Sequence, residues 1–199
     1  MKFIFTAILA FLITFTTLTT TAATTILAGG CFWCMESDFE KVHGVSDVIS
    51  GFLGGTAENP TYSGDHSGHY EAVKITYDPK LISYQQLLEH FWVNIDPFDD
   101  KGQFCDKGHS YLSAVFTEND EERSTAEATR NRVIAMFPDQ KVVTPILDAD
   151  TFYPIKGDEA YHQDYYKNYP NRYKFYRWSC KRDARLREIW GEHASKVLP

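Results

Sequence analysis

Between Thr24 and Val42 the chain passes from a short strand-forming run into an amphipathic helix through two glycines, with a cysteine at the junction. Thr24 to Ala28 reads as the strand, and Gly29-Gly30 permits the tight turn. Phe32, Met35, Phe39 and Val42 then recur at helical spacing, with Glu36, Asp38, Glu40 and Lys41 off that stripe. Any fold for this chain must therefore let a strand feed a helix within a couple of residues, and it must place Cys31 at the helix N-terminus. There the free N–H groups and the positive end of the helix dipole favour thiolate over thiol, which is what a nucleophilic or redox cysteine needs. A buried, inert cysteine is the plain alternative. The flanking glycines and a second thiol three residues on, Cys34, favour the reactive one.

The next segments supply partners for such a thiol. Val45 to Phe52 is expected as a strand, followed by a loop over residues 54–69 rich in Gly, Asn, Pro, Ser, His and Tyr. Tyr70 to Tyr77 alternates with period two, so Glu71, Val73, Ile75 and Tyr77 share one face. A carboxylate at the head of an apolar face is costly unless paired or protonated. A salt-bridged edge glutamate is the bland alternative. Ser83 and Gln86 suit a capping box for a helix whose buried stripe is Leu87, Leu88, Phe91, Trp92 and Ile95, ended by Asp96-Pro97. Tyr111 to Phe116 begins another strand, Asn119 to Met136 is a third helix, and Lys141 to Leu147 is expected as a further strand. Helices interleaved with a few strands predict an α/β fold, a single-domain two-layer sandwich. The tract from Phe152 to Trp178, dense in Tyr and Phe, is expected to wrap the core and floor the site, most of its aromatics serving packing.

The first 23 residues read differently from the rest. Lys2, an apolar run from Phe3 to Phe15 and a threonine-rich stretch ending in Ala22-Ala23 suit a secretory signal peptide cut near Ala22 or Ala23, and an uncleaved membrane anchor is the alternative. The catalytic domain is then expected over residues 24–199, in an exported protein of the periplasm. A formal net charge of −7 argues against nucleic acid as a partner. Four cysteines in an exported chain would ordinarily suggest two structural disulfides, against which the helix-start position of Cys31 weighs.

The segment Gly30-Cys31-Phe32-Trp33-Cys34-Met35-Glu36-Ser37 resembles the methionine sulfoxide reductase A family. The resemblance continues through Asn59-Pro60-Thr61-Tyr62, Gly68-His69-Tyr70-Glu71, Tyr77-Asp78-Pro79 and Asp106-Lys107-Gly108-His109-Ser110-Tyr111, in order, over most of the chain from about Thr25 to Trp190. It implies a ferredoxin-like core wrapped in long irregular C-terminal segments. It implies reduction of the S-epimer of methionine sulfoxide, protein-bound or free, with no metal or organic cofactor and an external dithiol reductant such as thioredoxin. Cys31 would attack the sulfoxide sulfur and Glu71 would give the oxygen a proton. Tyr62 and Tyr111 would hydrogen-bond that oxygen with Asp106 in the same pocket, and Phe32 and Trp33 would wall the methyl group. Cys31 would end as a sulfenic acid and condense with a second thiol. Three candidates stand for that thiol. Cys34 is nearest in sequence, Cys105 is a small thiol expected to be buried, and Cys180 is favoured because its surroundings resemble the family's C-terminal cysteine segment. The chain departs from many members in Cys34, where they carry Gly, in Ser110, where they carry Gln, and in a shorter loop after Tyr62. A monomer is expected. Two other classes compete: a thioredoxin-like oxidoreductase using Cys31 and Cys34, and a zinc module, for which no second closely spaced ligand pair exists.

Overall fold

A computed structural model describes residues 22–191, 193 and 194. The expected leader falls almost wholly outside them, and Ala23, at its proposed end, is already the first residue of a strand. In chain order the elements are β1 (Ala23–Gly29), α1 (Phe32–Phe39), β2 (Val45–Leu53), β3 (Tyr70–Tyr77), α2 (Tyr84–Trp92), β4 (Gly102–Gln103), β5 (Asp106–Lys107), β6 (Ser113–Thr117), α3 (Asp120–Met136), β7 (Ile146–Asp148), β8 (Tyr153–Pro154), α4 (Tyr165–Asn168), α5 (Pro170–Ser179) and α6 (Arg182–Trp190).

The main sheet runs in the order β7-β6-β1-β3-β2-β8. Its four inner strands, with α1 and α2, form a β-α-β-β-α-β unit in which β3 lies antiparallel between β1 and β2 and β1 lies antiparallel between β3 and β6. This is the ferredoxin-like arrangement. It follows from the right-handed crossover each helix makes between parallel strands with one strand left between them.

The principal core lies on the helical side of the sheet. There Leu27, Val73 and Ile75 meet Phe32, Met35 and Phe39 of α1 and Leu87, Leu88 and Phe91 of α2. The opposite face of the sheet carries a smaller cluster of Ile26, Ala28, Leu53, Tyr70, Ala72, Ala114 and Phe116, against which Leu147 of β7 and Leu112, Ala149 and Phe152 from irregular chain pack. Both faces of β3 are thus largely buried, as the apolar run of that strand requires.

Local chemistry accounts for the helix boundaries. Ser83 and Gln86 make the reciprocal capping box at α2. Asn119 caps α3 by accepting from Glu122 N–H. Two expectations need correction. Helix α2 stops at Trp92, so Ile95 reaches the core from the turn beyond it. The strand expected over 141–147 pairs only at Ile146–Asp148, parallel to β6. Val143 N–H is taken by Pro97 C=O, and Pro145 has no N–H to give a ladder.

Candidate active site

Cys31 is the N-cap residue of α1, as the strand–glycine–helix pattern predicts. The turn that puts it there depends on Gly30, at φ +80°, where a Cβ would meet the Cβ of Gln103 at 2.5 Å. Gln103 is held in turn by its side-chain amide, which accepts from Asp96 N–H and donates to Asp96 C=O, each at 2.8 Å.

Around Cys31 the fold gathers Phe32 and Trp33 from α1, Tyr62 from the loop after β2, Glu71 from β3, Asp106 from β5 and Tyr111 from the short turn before β6. Together with Tyr176 of α5 they line one cavity of about 40 Å³. The residues predicted from sequence for substrate contact therefore meet in a single place.

Glu71 points with the apolar face of β3, as its alternation predicts, and is 2 % exposed. It accepts a hydrogen bond from Phe32 N–H at 3.1 Å. Burial pushes its carboxyl up to about 8, against the stabilising Phe32 N–H and Tyr111 contacts. It is therefore a carboxylic acid at neutral pH and not an edge ion pair. Burial likewise holds the phenols of Tyr62 and Tyr111 well above their ordinary range, so both remain hydrogen-bond donors.

The thiols depart from the helix-dipole expectation. Cys31 and Cys34 are free, 5 % and 1 % exposed, and hydrogen-bonded to each other. Burial pushes the Cys31 thiol well above its usual value, and the neighbouring Cys34 and Glu71 push it the same way. Cys34 is brought down to about 7, chiefly by the hydrogen bond from Cys31, with the Arg182 and Arg177 charges helping. The pair thus gives up one proton near neutrality and retains the other. The second thiol, which the dipole argument passed over, makes the site acidic enough to react.

Cys180, the thiol favoured from sequence for resolution, is engaged elsewhere in this structure. Cys180, at the C-cap of α5, is bonded to Cys105, with the Cα atoms 4.9 Å apart and 75 residues between them in sequence. Cys105 is at the surface and not a buried thiol. The cause is the β4–β5 hairpin, which turns through Phe104 at φ +55° and presents Cys105 to the end of α5. Among the described residues, the groupings of three candidate metal ligands are Cys105, Asp106 and Cys180, two of which are bonded to each other, and Glu36, Glu40 and Asp164. Neither includes Cys31 or Cys34.

Several residues escape a reading of the sequence. Trp33 donates through Nε1 to Nδ1 of His162 at 3.0 Å and stacks on Tyr165 with ring centres 3.8 Å apart. Tyr62 and Ser63 give their N–H groups to the Glu159 carboxylate at 2.7 and 2.8 Å, which fixes the loop carrying Tyr62. Tyr176 reaches the cavity from α5 and donates to Asp106. The signal available in sequence was the helical spacing of Tyr173, Tyr176 and Cys180 within an aromatic tract that otherwise looks like packing. Arg182 is 2 % exposed, lies over the Phe104 ring and donates to Asn94 C=O at 2.7 Å.

A ferredoxin-like α/β fold with a paired thiol facing a protonated carboxyl and a set of phenols defines a thiol-dependent oxidoreductase. Residues 23–194 match the family described as peptide methionine sulfoxide reductase. The chain is 47 % identical over 171 residues to peptide methionine sulfoxide reductase MsrA 2 of Caulobacter vibrioides, covering 84 % of this chain and 85 % of that protein. It is 45 % identical over 169 residues to the MsrA of Bacillus subtilis, covering 82 % and 93 %. Among solved structures, methionine sulfoxide reductase A of Corynebacterium diphtheriae superposes with a TM-score of 0.64 at 28 % identity, over 75 % of this chain and 76 % of that one. This chain belongs to the peptide methionine sulfoxide reductase A family.

Proposed function

We propose that this protein reduces the S-epimer of methionine sulfoxide to methionine, as a peptide-methionine (S)-S-oxide reductase. The observation that carries the reading is Glu71, a buried carboxylic acid hydrogen-bonded to the first turn of the helix that Cys31 caps. A thioredoxin-like oxidoreductase would leave Glu71 and the phenols without a task.

The chemistry follows from the residues. Cys31, as thiolate, attacks the sulfoxide sulfur. Glu71 gives its proton to the sulfoxide oxygen, with Tyr62 and Tyr111 donating hydrogen bonds as charge gathers there. The oxygen passes to Cys31, which becomes a sulfenic acid, and methionine leaves. Phe32 and Trp33, the latter held by His162 and Tyr165, wall the pocket for the S-methyl group.

We assign resolution to Cys34, because it already lies against Cys31 while Cys180 is engaged with Cys105. Its thiol displaces water from the sulfenic acid and forms a Cys31–Cys34 disulfide. An external dithiol, of the thioredoxin kind, returns that bond to two thiols and is itself oxidised. The leader over residues 1–23 supports export, and oxidised exported proteins and free methionine sulfoxide are the substrates to test, with the enzyme acting as a monomer.

Incubation with separated sulfoxide epimers tests the function. Methionine from the S-epimer alone supports it, and equal turnover of both epimers, or of neither, overturns it.

A further inference from the structure

The wall of the cavity that meets the sulfur substituent is only as definite as the orientation of Trp33. Tyr165 lies against the indole face with the two planes 7° apart and 3.8 Å between centres. A stack of that kind fixes the tilt of a ring but resists sliding and in-plane rotation weakly. The directional contact is made at the indole nitrogen, where Nε1–H donates to Nδ1 of His162 at 3.0 Å. That bond sets where the indole edge points, and with it the shape that Trp33 presents to the cavity.

His162 stands behind that wall, 1 % exposed, and is not one of the residues lining the cavity. An indole nitrogen can only donate, so Nδ1 is the bare nitrogen and the imidazole proton sits on Nε2. That N–H is buried with no hydrogen-bond partner among the described residues. An unpaired buried donor costs free energy, so an apolar ring of the same size would pack there more favourably. What such a ring lacks is the acceptor for Trp33. Burial lowers the His162 pKa, against the pull of Glu159, which keeps that acceptor bare at neutral pH.

The imidazole is itself held in place. It ends the turn Gly157–His162, and hydrogen bonds tie the residues around it to three separate parts of the fold. Glu159 takes the Tyr62 and Ser63 N–H groups, the Gln163 amide pairs with both backbone groups of Ser50 at 2.8 and 2.7 Å, and Asp164 N–H donates to Glu36 at 2.8 Å. The imidazole also packs on the Tyr62 ring, with 4.0 Å between centres. One side chain therefore spans from the methyl wall to a phenol assigned to the sulfoxide oxygen.

We infer that His162 is a positioning residue that sets which sulfur substituent the enzyme accepts: by fixing the Trp33 indole beside Tyr62, it keeps the pocket to the size of an S-methyl group and disfavours S-ethyl sulfoxides. A loosened indole would give way to the larger group, so loss of the acceptor costs selectivity before it costs chemistry. The inference rests on the reductase reading above.

The test uses the S-epimers of methionine sulfoxide and ethionine sulfoxide. Wild type is compared with His162→Phe, which keeps a ring and removes the acceptor, and with His162→Asn, whose side-chain carbonyl can stand where Nδ1 does. His162→Phe should lower the methionine-to-ethionine ratio of kcat/KM by about tenfold, the scale of one hydrogen bond or one methylene group, through KM and with kcat for methionine sulfoxide moved by less than about twofold. His162→Asn should return the ratio toward that of wild type. An unchanged ratio in His162→Phe overturns the proposal, whether both rates hold or both fall together, and so does an Asn variant no more selective than the Phe variant. Should His162→Phe lose its folded circular dichroism signal, the wild type decides by NMR. A scalar coupling between His162 Nδ1 and the Trp33 indole nitrogen, assigned by comparison with Trp33→Phe, supports the proposal, and its absence overturns it. Failure of wild type to turn over either sulfoxide overturns the reductase reading instead, because that coupling is read without substrate.

Discussion

The four cysteines form two pairs that are opposites in almost every respect. Cys31 and Cys34 are three residues apart, buried, reduced and surrounded by Glu71 and phenols. Cys105 and Cys180 are 75 residues apart, partly exposed and bonded. Proximity in sequence goes with chemistry here, and distance with architecture. The reason is that the first turn of one helix can hold two thiols against a single acid. A long-range bond instead ties together the ends of elements that the sheet does not itself connect.

The comparison breaks most sharply at Cys31. Cys31→Ser should reduce methionine release to background while leaving the fold intact, as measured by product analysis and circular dichroism. Retained turnover in that variant would remove the buried pair from the chemistry.

Glu71→Gln should come next, with a loss of about 10²- to 10⁴-fold, the usual worth of a positioned acid. The pH dependence sharpens the assignment. Wild-type turnover should rise as the thiol pair ionises near 7, and fall as Glu71 loses its proton through about 8. The alkaline fall should vanish in Glu71→Gln. A persistent fall would assign that limb to another group.

The two pairs should also separate in recycling. Cys34→Ser should release about one equivalent of methionine and then stall with a thioredoxin-type reductant, and Cys180→Ser should continue to cycle. The reverse result, or a Cys31–Cys180 crosslink on peptide mapping of oxidised enzyme, would restore Cys180 as the resolving thiol.

The smallest effect on the first turnover, though a large one on stability, belongs to the surface bond. Closing a loop of this length contributes about 4 kcal/mol by chain entropy, so Cys105→Ser should lower the denaturation midpoint markedly. Unaltered stability would mean that the bond does not constrain the unfolded chain as a closed loop of that length should.

Much of this arrangement was legible in the chain. The alternation of β3 put Glu71 on the buried face, the Ser83–Gln86 box set the start of α2, and the glycine pair put Cys31 at a helix start. Those features are local, and local rules govern them. The Cys105–Cys180 bond was not legible, because it depends on where a hairpin and a distant helix end arrive after folding. The acidity of the thiols was misjudged for a related reason. The helix dipole can be read from sequence, but the burial that opposes it and the hydrogen bond within the pair belong to the packed site.

One small contact carries a consequence for how such chains can diverge. Gly30 leaves the space that the Gln103 side chain occupies, and Gln103 uses that position to stand in as a peptide partner for Asp96. The two positions therefore cannot drift separately. A side chain at residue 30 would evict Gln103 and unpair Asp96, and a second change at 103 could not restore the positive φ that only glycine accepts cheaply there. Variation at 103 is open only within what a bare backbone at 30 allows, so the order of substitutions matters as much as their identity.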